Sequence, residues 1–215
     1  RRATVKNTGA APIADMALAH FAFFTVGHLP GGDRATLAGG SLVQVDGDTA
    51  VAVVADVAPD AGRAGLANVN LGGSRDARNA AEDGDWQGPQ AAGPAPTGAD
   101  AVTRHPLAAI APGASAAVTW AIAPGRGAPA ALATAKAGLA QGFAATAQAD
   151  ADRWGQYLAA TKAPASLAPA AVPVYRRALL TLGQHQTRAG AIIAAPTNLN
   201  PPYRFTWPRD GSLIA

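Results

Sequence analysis

The sequence predicts a multidomain protein that combines an N-terminal antiparallel β-sandwich with helices towards the C-terminus. Two patterns predict this division. In residues 1–124, short runs of alternating apolar and polar residues are separated by turn-forming residues, which is typical of a sandwich. After residue 125, apolar residues recur at steps of three or four, the spacing of amphipathic helices.

The strands of the predicted sandwich are defined by alternation and by turn chemistry. Residues 42–45 and 49–57 flank the triplet 46–48, whose Asp-Gly pair is a strong hairpin signal. Residues 116–122 form a further strand, in which Val118, Trp120 and Ile122 alternate onto one face. Earlier strands are predicted at residues 3–6 and 16–24.

An irregular span at residues 72–103 interrupts the predicted strands. Its acidic residues could ligate calcium, but they lack the regular spacing and closing glutamate of a calcium loop, so a solvated loop is the preferred interpretation. Its proline-rich end, residues 88–98, is predicted to have no regular structure. Trp86 is expected to fill a core or to contact a neighbouring domain.

Helical spacing begins after Pro124–Gly127, which we take as a domain boundary. Residues 129–161 are predicted to be helical. Gly138 and Gly142 each weaken a single helix, so compensating packing or a break between two helices is expected, with residues 150–154 as a candidate start of the second helix. Residues 173–188 form the best-defined helix, because Pro173 suits the first helical position.

Composition excludes several kinds of protein. The net charge is only +3 and the basic residues are scattered, so no nucleic-acid partner is predicted. No apolar run approaches the ~18 residues of a membrane span, so no membrane partner is predicted either. The absence of cysteine excludes disulfides and thiolate metal sites, and it leaves both a secreted and a cytoplasmic location open.

No metal site or cofactor is predicted from the histidines. The four histidines have no paired metal-ligand spacing. His185 lies on the predicted helix without a nucleophile or acid beside it, so we interpret it as a structural hydrogen-bonding residue.

Aromatic and charged residues are concentrated near the C-terminus, at Tyr203, Trp207, Arg209 and Asp210. An indole covers the apolar face of a ring, a guanidinium offers several donors in one plane, and a carboxylate accepts hydroxyl hydrogen bonds. Together these groups suit a hydroxyl-rich ligand. The alternative is a surface turn with an Arg–Asp pair.

The runs Gly190–Pro196 and Asn200–Asp210 closely resemble the start of the catalytic domain in glycoside hydrolase family 15. This family contains inverting enzymes of the glucoamylase and glucodextranase type. The resemblance is dense over residues 174–215. It implies that Arg209 and Asp210 hold the hydroxyls of a terminal glucose.

The resemblance also implies an architecture and further pocket residues. Tyr203 and Trp207 would line the same glucose pocket. Residues 1–124 would be a sandwich incomplete at its N-terminus, residues 125–170 a helical linker, and residues 171–215 the start of an (α/α)6 barrel. Both ends of the chain are therefore expected to lie inside domains of a longer enzyme.

The catalytic pair is not expected in this chain. Inverting glycoside hydrolysis requires two carboxyl groups about 6.5–9.5 Å apart. In the family both are glutamates further along the barrel, whereas the only glutamate of this sequence is Glu82. We therefore expect substrate-binding residues but no catalytic residue.

Three functional hypotheses follow. The first is part of a hydrolase that releases glucose from the non-reducing ends of α-glucans or α-glucosides with inversion. The second is a non-catalytic protein that binds carbohydrate or another subunit through its sandwich. The third is a fragment that becomes active only with a chain supplying the remaining helices. The sequence does not distinguish α-1,4, α-1,6 and trehalose linkages.

A partner is expected because the last predicted helix has an apolar stripe, formed by Tyr175, Leu179 and Leu182. Without the remaining portion of the enzyme or a second chain, this stripe and Ile192–Ile193 would be exposed and liable to associate. We also expect residues 203–215 to be unusually placed in a chain that is alone.

Overall fold

The computed structural model describes residues 1–24, 26, 32–66, 77, 84–86, 88–95, 98–186 and 190–193. Contacts along the chain define two compact units, Arg1–Phe143 and Ala144–Ala215. The division predicted from the sequence, at residues 124 and 170, stays a prediction.

The first unit contains two β-sheets. The larger sheet has the strand order β1 (Arg2–Lys6), β9 (Ser115–Arg126), β5 (Thr49–Ala55), β4 (Ser41–Asp46), β3 (Asp33–Ala38) and β7 (Ala91–Ala95). The smaller sheet has the order β2 (Ala17–Phe23), β8 (Ala99–Pro106) and β6 (Ala61–Leu66). Neighbouring strands are antiparallel in both sheets, which confirms the antiparallel β-rich N-terminal part.

Strands with clear local signals lie where the sequence predicts them. The Asp-Gly pair joins β4 to β5, and Asp46 pairs with Thr49 across the turn. In β9 the predicted alternation is present, because Val118 and Trp120 are buried and Ile122 packs against the same core.

The two sheets share one hydrophobic core. Its buried side chains come from strands of both sheets: Ala22, Ala35, Leu42, Val53, Ala64, Ala99, Ala101, Val118 and Trp120. Two antiparallel sheets that pack face to face in this way form the arrangement expected of a β-sandwich. Most of these core residues are alanines, so the indole of Trp120 contributes by far the largest apolar surface.

A helix, α1 (Gly127–Gln141), covers the other face of the larger sheet. Its buried residues Ala131 and Ala135 pack against a second cluster of the sheet, formed by Val43, Ala50, Ala52, Val54 and Ala123. The helix begins directly after β9, so the chain folds back onto the sheet without a connecting loop. The larger sheet is therefore covered on both faces.

The expectation that residues 88–98 have no regular structure is wrong. Residues Ala91–Ala95 form β7, which pairs with β3. Pro94 lies within β7, but β7 is an edge strand of the sheet. An edge strand tolerates a proline because one side of it needs no N–H donor for a neighbour.

Two further helices follow, α2 (Phe143–Ala159) and α3 (Val172–His185), with a 3-10 turn at Pro169–Ala171 before α3. All of their residues except Phe143 belong to the second unit. Helix α1 ends at Gly142, one of the two glycines expected to weaken a single helix, and α2 follows directly. The candidate start of the second helix at residues 150–154 is therefore wrong, because these residues lie inside α2. Neither α2 nor α3 contains a fully buried residue. Among the described residues, no helix is long and apolar enough to cross a bilayer.

Candidate functional site

The four sugar-binding residues predicted from the sequence are Tyr203, Trp207, Arg209 and Asp210. All four lie in residues 194–215, outside the described residues. The expected placement of residues 203–215 concerns the same segment, and Glu82 also lies outside the described ranges. The described structure therefore bears on the helix and the short segment that precede the predicted site.

The chain reverses direction at the end of α3. Gln186 and Ile192 form an antiparallel bridge, and the N–H of Ile193 donates to the carbonyl of His185 at 3.1 Å. The side-chain amide of Gln186 also donates to the carbonyl of Gly190 at 3.3 Å. These bonds hold residues 190–193, the start of the sugar-site motif, against the C-terminal end of α3.

His185 makes a local hydrogen bond rather than a catalytic contact. Its Nδ1 lies 2.7 Å from the carbonyl oxygen of Thr181 on the same helix, so this nitrogen donates. This local contact agrees with the interpretation of His185 as a structural hydrogen-bonding residue, which stays a prediction.

Helix α3 packs closely against an aromatic pair of α2. A Cβ on Gly183 would lie 3.0 Å from Cζ3 of Trp154 and 3.0 Å from Cζ of Tyr157, so glycine permits this approach. The two rings have centroids 5.6 Å apart and an interplanar angle of 87°, a favourable edge-to-face geometry. The guanidinium of Arg153 lies 4.5 Å from the centroid of the Trp154 ring. This contact fixes α3, to which the predicted sugar-binding segment is attached.

Metal binding is not supported by the part of the chain that the structure describes. No group of three or more histidine, aspartate or glutamate side chains is close enough there to hold an ion. The acidic span considered for calcium includes Asp76, Glu82 and Asp83, which lie outside the described residues.

The core of the first unit brings together two histidines and Trp120, an arrangement that the sequence analysis missed. His20 of β2 stacks on the indole, with ring centroids 5.4 Å apart and an interplanar angle of 28°. His105 of β8 meets the same indole edge-on, with centroids 5.4 Å apart and an angle of 83°. The three residues are far apart in sequence, so their spacing carries no signal. The sequence signal for this cluster was the alternation that places Trp120 on the same face of its strand as Val118 and Ile122.

Hydrogen bonds determine the protonation of His105. The indole N–H of Trp120 can only donate, and it lies 3.1 Å from Nε2 of His105, so Nε2 accepts. The opposite nitrogen, Nδ1, donates to the carbonyl of Val57 at 2.7 Å. His105 is therefore neutral, and burial lowers its pKa.

His20 is neutral for a related reason. Its side chain is buried, and its Nδ1 has no hydrogen-bond partner among the described residues. Burial, followed by the charge that His105 would carry, lowers the pKa of His20 from 6.5 to about 4. Two buried neutral rings in contact with a core indole, one stacked and one edge-on, indicate a structural cluster rather than a catalytic one.

The stability of the first unit is expected to depend on the titration of His20. Between pH 6.5 and about 4 the unfolded chain binds a proton that the folded chain does not, so the free energy of unfolding falls as the pH falls. Between pH 7 and pH 5 the loss should be about 2 kcal/mol relative to the variant His20→Phe, which keeps a ring on Trp120 but cannot titrate. Urea unfolding of both proteins across this pH range measures the difference.

The wild type has to be compared with His20→Phe because Asp33 titrates in the same pH range as His20. Burial, followed by the charge of Asp46, raises the pKa of Asp33 from 3.8 to about 6. Between about pH 6 and pH 3.8 the folded chain binds a proton that the unfolded chain does not. The titration of Asp33 therefore raises the free energy of unfolding as the pH falls, whereas that of His20 lowers it. Asp33 is present in both proteins, and its contribution cancels in their difference. A difference that stays constant from pH 7 to pH 5 would contradict the assignment of His20.

Comparison with known families gives one result for the C-terminal region. Residues 169–215 match the family model described as Glycosyl hydrolases family 15. The range begins at the 3-10 turn, includes α3 and extends over all four predicted sugar-binding residues. Comparison with curated proteins finds no match to the chain. The C-terminal region is thus similar to glycoside hydrolases of family 15.

Proposed function

We propose that the chain supplies part of the glucose pocket of an inverting glycoside hydrolase of the glucoamylase type. The family match over residues 169–215 carries the proposal, because the matched range contains the residues best suited to bind a sugar. Such an enzyme releases glucose from the non-reducing ends of α-glucans or α-glucosides.

The proposed roles follow from the chemistry of the side chains. Arg209 donates to two or more hydroxyls of the terminal glucose through its planar guanidinium, and Asp210 accepts from neighbouring hydroxyls. Trp207 covers the apolar face of the sugar ring, and Tyr203 adds a second ring with a polar tip. The family match supports these roles, because all four residues lie within residues 169–215.

The proposal requires the catalytic carboxyl groups to come from elsewhere. One glutamate, Glu82, cannot provide both the acid and the base of an inverting hydrolase. We propose that a further portion of the enzyme, or a second chain, completes an (α/α)6 barrel that starts at residues 171–215. The stripe of Tyr175, Leu179 and Leu182 supports this, because all three side chains are only half-buried and retain apolar surface for another helix.

The same proposal assigns the remaining parts of the chain. Residues 1–124 form the sandwich domain, and residues 125–170 form the helical linker between sandwich and barrel, whose first helix, α1, packs on the larger sheet. The two antiparallel sheets of the first unit support the first assignment.

Replacing Arg209 by alanine in the complete enzyme tests the pocket. A hydrogen bond to a charged group contributes about 1.5–3 kcal/mol, so kcat/KM for the preferred substrate should fall by about tenfold to a hundredfold. Glucose release from maltose, isomaltose and trehalose gives both the rate and the linkage preference. Proton NMR of the first product should detect the inverted anomer.

Arg177→Ala is the matched control, because Arg177 is exposed on α3 and is not among the predicted pocket residues. It should leave kcat/KM unchanged. Unchanged kinetics of Arg209→Ala would remove the pocket assignment. A complete enzyme that releases no glucose from any of the three sugars would remove the proposed reaction.

A further inference from the structure

We propose that the first unit carries a second sugar site, a groove for a neutral pyranose ring built around Trp86. The groove has a volume of about 310 Å³ and is lined by residues of both sheets and of the segment that precedes β7. The lining side chains that can recognise a sugar are those of Trp86, Asp60, Gln90 and Ser41. All of them lie outside the range matched to the hydrolase family.

The walls of the groove are fixed by backbone hydrogen bonds. The N–H of Leu37 in β3 donates to the carbonyl of Gln90 at 2.7 Å, and the N–H of Ala64 in β6 donates to the carbonyl of Pro89 at 2.8 Å. The segment therefore bridges one strand from each sheet. The side chain of Gln90 adds a bond of 2.9 Å to the carbonyl of Gly62. A groove held in this way is preformed, so a ligand does not have to order it.

Trp86 packs against buried residues and also lines the groove. Its half-buried ring packs against the buried pair Ala77 and Val102, and the same residue borders the groove. A ring that is already immobilised loses little conformational entropy when a ligand stacks on it. Its exposed part offers the apolar surface that the C–H face of a pyranose requires.

The charge of the groove favours a neutral ligand. Among its described lining residues, Asp60 is the only ionisable one. Asp60 forms an ion pair with Arg104 and also donates its backbone N–H to the carbonyl of Arg104 at 3.0 Å. The pair compensates the charge of the carboxylate, so neither a phosphate nor a cation finds an unpaired opposite charge. The carboxylate of Asp60, the amide of Gln90 and the hydroxyl of Ser41 can still hydrogen-bond to sugar hydroxyls.

The proposal of a sugar site in the groove is based on the residues that line it. The choice of α-glucans as probes, in contrast, rests on the proposed function. The second site would hold an oligosaccharide on the sandwich during hydrolysis. Its test is therefore a binding measurement that needs no activity, so its failure and the failure of the proposed reaction can be told apart.

Titration of the full 215-residue chain with maltotriose, followed by NMR of the tryptophan indole N–H groups, tests the site. The signal of Trp86 should shift and saturate in the millimolar range. Isothermal titration calorimetry with maltotriose gives the affinities of the variants, because Trp86→Ala lacks the reporting indole. Trp86→Ala should lower the affinity at least tenfold, and Gln90→Ala, which also removes the hydrogen bond to Gly62, should lower it severalfold. Cellotriose and inorganic phosphate are the comparison ligands, with tighter binding expected for maltotriose than for phosphate.

The control variant Trp207→Ala separates this site from the predicted glucose pocket. It should leave the Trp86 response unchanged. The proposal is overturned if the Trp86 signal does not move with either sugar, if phosphate alone moves it, or if both Trp86→Ala and Gln90→Ala bind maltotriose as the wild type does. Loss of the response in Trp207→Ala would also overturn it, by placing the binding at the other pocket.

Discussion

Replacing Trp120 by alanine is expected to destabilise the first unit by about 3–5 kcal/mol. Trp120 is 5% exposed and lies in a core whose other members are mostly alanine, so neighbouring side chains cannot fill the space that it leaves. The change also leaves the rings of His20 and His105 without their shared contact. Domains have a total stability of about 5–15 kcal/mol, so this loss is a large share. Urea unfolding followed by circular dichroism measures it.

The conservative variant Trp120→Phe divides this effect into its parts. Phenylalanine keeps an aromatic ring between the sheets but removes the N–H that donates to Nε2 of His105 at 3.1 Å. The hydroxyl of Thr103 lies 2.9 Å from the same Nε2, so the acceptor keeps one partner. Losing the indole hydrogen bond should therefore cost about 0.5–1.5 kcal/mol, less than the alanine variant. Equal stabilities of wild type and Trp120→Ala would show that the indole does not hold the two sheets together.

Replacing Gly125 by alanine is the second large effect, with an expected loss of about 3 kcal/mol at the upper end of overpacking costs. A Cβ on Gly125 would lie 2.3 Å from the backbone N of Ala131 and 2.7 Å from its Cα. Backbone atoms of a helix cannot rotate aside, so α1 would have to move away from the larger sheet. Urea unfolding measures the loss, and hydrogen exchange of α1 amides should become faster.

The control is a glycine-to-alanine change that is expected to stabilise the protein instead of destabilising it. Gly155 lies inside α2, and a Cβ there would meet no atom within 4 Å. Alanine is favoured over glycine in a helix interior by about 1 kcal/mol, so Gly155→Ala should stabilise the chain slightly. If Gly125→Ala were equally harmless, the close contact between β9 and α1 would be disproved.

The sequence predicted those parts of the fold whose signals are local. The β4–β5 hairpin depends on an Asp-Gly turn between two apolar runs, and β9 depends on the alternation around Trp120. Strands β6 and β7 have the sequences AGRAGL and AAGPA, which show no alternation of large apolar and polar residues. Their strand conformation comes from pairing with β8 and β3, which no local pattern reveals.

The candidate sites also differ in whether a local sequence pattern is sufficient to find them. The residues of the predicted glucose pocket lie together at 203–210, so a local motif is sufficient to find them. The groove at Trp86 is assembled from residues 37–41, 59–62 and 86–90, and its ligand chemistry becomes visible only when these segments meet. The cluster around Trp120 likewise requires three strands to be in place.

The direct passage from β9 into α1 has a consequence for how this unit can be inherited or exchanged. If recombination transferred the strands without α1, the valines and alanines beneath the helix would face water and become an aggregation surface. The sheets and α1 therefore form the smallest module that can move between proteins intact. Its natural boundary is the break at Gly142, where the covering helix ends.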